Sequence, residues 1–164
     1  MHFENERDFA ATPDRVAGLM SDPEFQTTLD LPDLSRPVVV DHEIDGSARR
    51  LRLRYEYIGQ LDPIARRVVG GRQLTWLQEL RIDLATGVGT LSFAAEEEAD
   101  RVNGTADVSI TGRAGDSARR RIAGDFRIRL PVVGGTAERK IVPGLVRRLD
   151  VEADALAARL ATLD

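Results

Sequence analysis

The chain opens on a two-residue rhythm. In residues 2–9, Phe3, Asn5, Arg7 and Phe9 fall on one face and Glu4, Glu6 and Asp8 on the other, the period of a half-buried strand. The period then lengthens. Thr12-Pro13 supplies an N-cap and a proline at the first helical position, and Val16, Leu19 and Met20 recur at helical spacing. Asp22-Pro23 starts a second short helix through about Leu29, with Phe25 and Leu29 on its inner face. After the connection from Pro32 to Pro37, Val38, Val40, His42 and Ile44 alternate with Val39, Asp41, Glu43 and Asp45. Asp45-Gly46-Ser47-Ala48 puts glycine at the first central position of a two-residue type II′ hairpin turn. That register sets Glu43 opposite Arg50 and Asp41 opposite Arg52, each pair contributing about 0.2–1 kcal/mol, and it points Leu51, Leu53, Tyr55 and Tyr57 inward.

Residues 61–70 interrupt the alternation with a one- or two-turn helix that starts at Asp62-Pro63 and ends at Gly70-Gly71. A strand over about 72–83 carries Leu74, Trp76, Gln78, Leu80 and Ile82 inward, and Thr86-Gly87 returns the chain into a strand from Val88 to about Glu96 with Leu91, Phe93 and Ala95 inward. Two further strands, about 101–112 and 118–130, carry Val102, Val108 and Ile110, then Ile122, Phe126, Ile128 and Leu130. On the same faces lie Gly104, Ala106, Gly112 and Gly124, small residues expected to let a sheet bend and to leave room above it. From about Thr136 to Leu163 the pattern is helical. Val142, Leu145, Val146, Leu149, Ala153, Leu156, Leu160 and Leu163 form one stripe, and residues 136–163 would span about 42 Å at 1.5 Å per residue. Pro143, which leaves the carbonyl of Arg139 without a donor, is expected to kink or divide this helix.

Short consecutive strands joined by tight turns favour an antiparallel sheet, and an amphipathic helix must bury its stripe against that sheet's apolar face. The expected fold class is therefore α+β with helix-grip geometry. About seven strands, in the order β-α-α-β-β-β-β-β-β-α with a small helical insert after the third strand, wrap a long C-terminal helix in one domain spanning 1–164. Three stretches carry a likeness to known proteins: the opening Phe3-Glu4-Asn5-Glu6-Arg7-Asp8-Phe9-Ala10-Ala11-Thr12-Pro13, the helix start Asp22-Pro23-Glu24-Phe25, and the entry to the last helix, Arg129-Leu130-Pro131-Val132-Val133-Gly134-Gly135. With this order of elements the chain resembles the START-like superfamily, also called SRPBCC or polyketide cyclase/lipid-transport, over essentially its whole length. More narrowly it is similar to an uncharacterised START-like family of unknown function from high-GC bacteria. The matching stretches form the fold and none is catalytic, so the resemblance implies a fold and a ligand-holding habit and carries no reaction.

Composition narrows the chemistry. The chain has no cysteine, which excludes disulfides, thiolate catalysis and cysteine-held metal centres. The N-terminus lacks a signal-peptide pattern and no window reaches about 18 apolar residues, so the expectation is a cytoplasmic protein without integral membrane association. The net charge of −4 argues against nucleic acid as a partner, and no aromatic residues are interleaved with Arg119-Arg120-Arg121 or Arg147-Arg148. Residues 1–48 hold 11 acidic and 3 basic side chains, and residues 113–150 hold 4 and 10; the two ends are expected to neutralise each other across one surface.

Candidate site residues are those on the inner faces that are not purely apolar, with the aromatic residues beside them: Arg7, His42, Tyr55, Tyr57, Trp76, Gln78, Phe93 and Phe126. Convergent polar groups in an apolar concavity are the usual composition of a ligand pocket. Each also has a plainer reading, as core aromatics with a polar tip, a rim salt bridge for Arg7, or a hydrogen-bonded strand histidine for His42. No histidine–carboxylate spacing suggests a metal, and neither a Gly-x-Ser-x-Gly nucleophile nor a Walker loop is present; Gly134-Gly135-Thr136 ahead of Lys140 reads as a helix entry. The expected partner is a hydrophobic small molecule (lipid, polyketide or aromatic metabolite), with no catalytic residue and no cofactor assigned and the oligomeric state left open. Two alternatives stand beside it: a cyclase- or hydratase-type enzyme built on His42, Tyr55, Tyr57 or Arg7, and a protein-interaction module with a filled core. A cavity of about 300 Å³ or more separates the ligand-holding readings from the last.

Overall fold

In the computed structural model, which describes residues 1–163 apart from the side chains of Ala65, Val68 and Val69, the alternating segments form seven strands. The elements are β1 (His2–Phe9), α1 (Pro13–Met20), α2 (Pro23–Thr27), β2 (Val38–Asp45), β3 (Ala48–Glu56), α3 (Pro63–Val69), β4 (Thr75–Asp83), β5 (Val88–Ala95), β6 (Val102–Arg113), β7 (Ser117–Ile128) and α4 (Gly134–Thr162). All pairings are antiparallel, in the order β1-β7-β6-β5-β4-β3-β2. The two short helices therefore carry the chain from one sheet edge to the other. Helix α4 packs against β1, β7 and α1, and its stripe of Val142, Leu145, Leu149, Ala153, Leu156 and Leu160 joins the buried cluster formed by the inner strand faces.

Local chemistry fixes most boundaries. The Asp22 side chain accepts a hydrogen bond from the Glu24 N–H at 3.0 Å, capping α2 ahead of its proline. Thr12 starts α1 through its backbone alone, its carbonyl accepting from Val16 N–H at 3.1 Å. The β2–β3 turn holds Gly46 at φ 58°, and the pairs Glu43–Arg50 and Asp41–Arg52 stand opposite each other as the hairpin register requires. Helix α2 ends at Thr27, two residues before the expected Leu29, which is nevertheless buried.

Strand β2 departs from expectation. A bulge between Val39 and Asp41 breaks its alternation, and Val38, Val40 and Ile44 are exposed. As the edge strand it has a neighbour on one side only, and although α2 packs beside it, α4 does not cover its apolar positions as it covers those of β7. Helix α4 runs 29 residues through Pro143 without dividing. The charge asymmetry resolves into a ladder between β1 and β7, with Arg119 bound to Asp8 and Arg121 to Glu4, each at 2.7 Å.

Candidate functional site

A cavity of about 390 Å³ opens between the first half of α4 and the sheet. Its floor is Trp76, Phe93, Ala95 and Phe126, its roof Ala137, Ile141, Leu145 and Arg148 of α4, and its side wall Leu34, Tyr57, Leu61 and Ile64. The lining is dominated by carbon, and the volume lies within the range of small-molecule sites, about 300–1,000 Å³. Pro143 and Gly144 also border it, so the interrupted turn of α4 forms part of the wall. Lys140 and Asp62 both line the cavity and meet at 2.9 Å, tying α4 to the loop that precedes α3.

The glycines of the concave face lie beside the cavity and between closely approaching strands. A Cβ on Gly124 would stand 2.0 Å from the Thr105 carbonyl oxygen, so this glycine admits a close approach of β6 to β7. Gly104 stands between two floor residues, paired with Phe93 on one side and Phe126 on the other, and a Cβ there would come within 3.0 Å of the Phe126 ring, beneath residues 137–148 of α4 that roof the cavity.

Of the eight residues singled out in the sequence, Tyr57, Trp76, Phe93 and Phe126 line the cavity. Tyr57 is half-buried and its O–H donates to the Gln60 carbonyl at 3.3 Å; burial, with Asp33 and Asp62 nearby, pushes its phenol pKa up. Tyr55 and Gln78 stand directly behind the lining. The Tyr55 ring stacks on Trp76 with centroids 5.7 Å apart, and Gln78 accepts a hydrogen bond from the Arg148 guanidinium. Burial pushes the Tyr55 phenol up to about 12, and its oxygen has no hydrogen-bond partner among the described residues. Arg7 and His42 are elsewhere. Arg7 holds Asp154 and approaches Asp150 at 3.7 Å, on the second half of α4. His42 pairs with Leu51 but is exposed on the edge strand.

Three buried charged residues were not among those candidates. Arg120 is fully buried on β7, with Glu152 at 2.6 Å, the Asn5 side-chain oxygen at 3.2 Å and the Leu149 carbonyl at 3.2 Å. Arg148 lies one helical turn before Glu152. It faces the cavity with its guanidinium carbon 4.8 Å from the Tyr55 ring centre and 5.5 Å from that of Phe93. The signal was present in the sequence: Arg120 shares the inward parity of Ile122, and Arg148 and Glu152 interrupt the apolar stripe of α4.

The profile of a family described as "Protein of unknown function (DUF2505)" matches residues 4–160. The chain belongs to that family. Among curated proteins no sequence matches it. Solved structures of similar shape include the Zhui aromatase/cyclase from a Streptomyces species, with a TM-score of 0.60 and 16% identity, covering 97% of this chain and 92% of that one. A START superfamily protein from Mycobacterium smegmatis gives a TM-score of 0.57 and 17% identity over 99% of both chains. Norcoclaurine synthase from Thalictrum flavum gives 0.60 and 17%, over 98% of this chain and 86% of that one. The DUF2505 chain thus has the helix-grip fold of the START and Bet v1-like proteins, as its order of elements implied.

Proposed function

We propose that the protein binds and carries an apolar small molecule (a lipid, a polyketide or an aromatic metabolite) in the cavity between the sheet and α4. The observation that carries this reading is the cavity itself: about 390 Å³ bordered by Trp76, Phe93, Phe126, Ile141 and Leu145, in a protein whose remaining inner faces are filled by side chains. Apolar surface left uncovered inside a fold forgoes contacts that neighbouring atoms would otherwise supply, and a ligand restores them. That solved proteins of this shape include an aromatase/cyclase and a START superfamily protein supports the same reading.

The only tryptophan of the chain, Trp76, lies in this wall and supplies the assay. Titration with the neutral apolar probe N-phenylnaphthylamine is expected to give saturable energy transfer from Trp76 at one probe per protein. Ala95→Phe, which fills the floor, is expected to weaken binding by about tenfold or more while the protein remains folded by circular dichroism. Non-saturable transfer, or transfer indifferent to Ala95→Phe, refutes the reading. Native mass spectrometry of protein from its own host then identifies the natural cargo.

A further inference from the structure

Arg148 is the feature of the cavity that an apolar ligand alone leaves unexplained. It is 5% exposed, and burying a guanidinium costs several kcal/mol unless charge and hydrogen bonds compensate it. The other buried arginine, Arg120, also has an Nε without a partner among the described residues, but its two terminal nitrogens meet three protein acceptors: a carboxylate, a side-chain amide oxygen and a backbone carbonyl. Arg148 has one amide oxygen, that of Gln78, and two aromatic faces. Its Nε is buried without a partner, and it makes no ion pair among the described residues. The adjacent carboxylate of Glu152 is already committed to Arg120. A cation held by neutral groups, on the wall of a cavity and short of acceptors, is complementary to an anion entering that cavity.

We propose that the ligand is an anionic amphiphile whose single carboxylate is bound by Arg148 while its apolar body lies against Trp76, Phe93 and Phe126. This rests on the carrier reading of the same cavity. A monoanionic carboxylate fits better than a phosphate because the inner wall offers one cation. Lys140 is paired with Asp62, and Arg147 is exposed at the rim, so a dianion would enter with half its charge uncompensated. The planar guanidinium also matches a carboxylate edge to edge.

The test uses decanoate, decanol and decyl phosphate as competitors for bound N-phenylnaphthylamine. At about pH 8, where a carboxylic acid is ionised, decanoate is expected to displace the probe at about tenfold lower concentration than decanol, the ratio that one charge-assisted hydrogen bond provides. Arg148→Met, which keeps an apolar chain against the two rings, is expected to bring that ratio to about one while probe affinity stays within about threefold. Should this variant fail to fold because Gln78 is left unpaired, Arg148→Met combined with Gln78→Leu removes both polar groups, and the wild-type ratio is decisive without either. Equal displacement by decanoate and decanol, or a preference that survives in the variant, overturns the assignment and leaves the carrier reading intact. Decyl phosphate displacing better than decanoate overturns the choice of carboxylate. Absence of saturable probe binding removes the carrier reading itself, and this inference with it.

Discussion

Arg120 and Arg148 are both buried, yet their surroundings give them opposite work. Arg120 joins β7 to α4 through Glu152 and Leu149 and to β1 through Asn5, so its removal strands a carboxylate in the interior. Arg120→Met is expected to lower the unfolding free energy by about 3–5 kcal/mol in chemical denaturation, and replacing Glu152 with leucine in the same chain to recover most of it; equal losses in the single and double variants would contradict the pairing. Tyr55 is the reverse case, a hydroxyl buried without a partner among the described residues. Tyr55→Phe keeps the stack on Trp76 and is expected to raise stability by about 1 kcal/mol. Because burial lifts the Tyr55 phenol from 10.0 to about 12, the folded state holds that proton longer than the unfolded one. The associated stability is intact below the unfolded value and is lost as pH rises through the folded value. Denaturation midpoints of the wild type should therefore fall more steeply above about pH 10 than those of Tyr55→Phe. These residues show how far side-chain roles could be read in advance. The aromatic wall of Tyr57, Trp76, Phe93 and Phe126 followed from alternation alone, whereas Arg120 and Arg148 lay inside arginine runs whose charge drew attention outward, and only their parity on strand and helix pointed in.

At the scale of elements, the alternation of period two, the turn glycines and the proline-led helix starts were enough to order every strand and helix, with boundaries displaced by a few residues. Less could be read where the environment, rather than the pattern, decides burial. Strand β2 has the hydrophobic alternation of an inner strand, but edge position and a bulge leave it uncovered, and His42 goes with it. The place of the cavity was equally hidden, because it depends on which part of α4 stands away from the sheet. Gly124, two residues before the floor residue Phe126, admits a close approach of β6 to β7, and Gly124→Ala is expected to cost about 1–3 kcal/mol by forcing the two strands apart, measured as a shift in denaturation midpoint. Pro143 borders the cavity from the side of α4. Its missing N–H weakens one turn of α4 beside the cavity, and Pro143→Ala restores that bond. If ligands enter through this turn, stopped-flow association of N-phenylnaphthylamine should slow by about threefold or more in Pro143→Ala with affinity little changed; unchanged kinetics would place the entrance elsewhere.

For the molecule as a whole, the two oppositely charged ends of the chain are brought together where β1 closes against β7. This ladder has a pH signature. Hydrogen bonding from Arg121 holds the Glu4 carboxyl below its ordinary 4.5, and hydrogen bonding from Arg119 does the same for Asp8 below 3.8. The Ile128 backbone N–H likewise lowers Glu138, at the start of α4. Each folded value lies beneath the unfolded one, so the stability these groups contribute is complete above the ordinary carboxylate range and disappears as pH falls through the lowered values. Glu4 and Asp8 lie on the solvent side of the sheet, where ions screen them. Denaturant midpoints measured from about pH 6 down to about pH 3 should decline, and the decline should be shallower in high salt. Replacing Arg119 and Arg121 together with glutamine should flatten it further, while leaving the cavity's affinity for N-phenylnaphthylamine unchanged, since neither arginine borders that space. A decline of the same steepness in that variant would assign the acid sensitivity to carboxylates elsewhere, and a loss of probe binding with it would show that closure of β1 on β7 sets the shape of the cavity as well as the stability of the sheet.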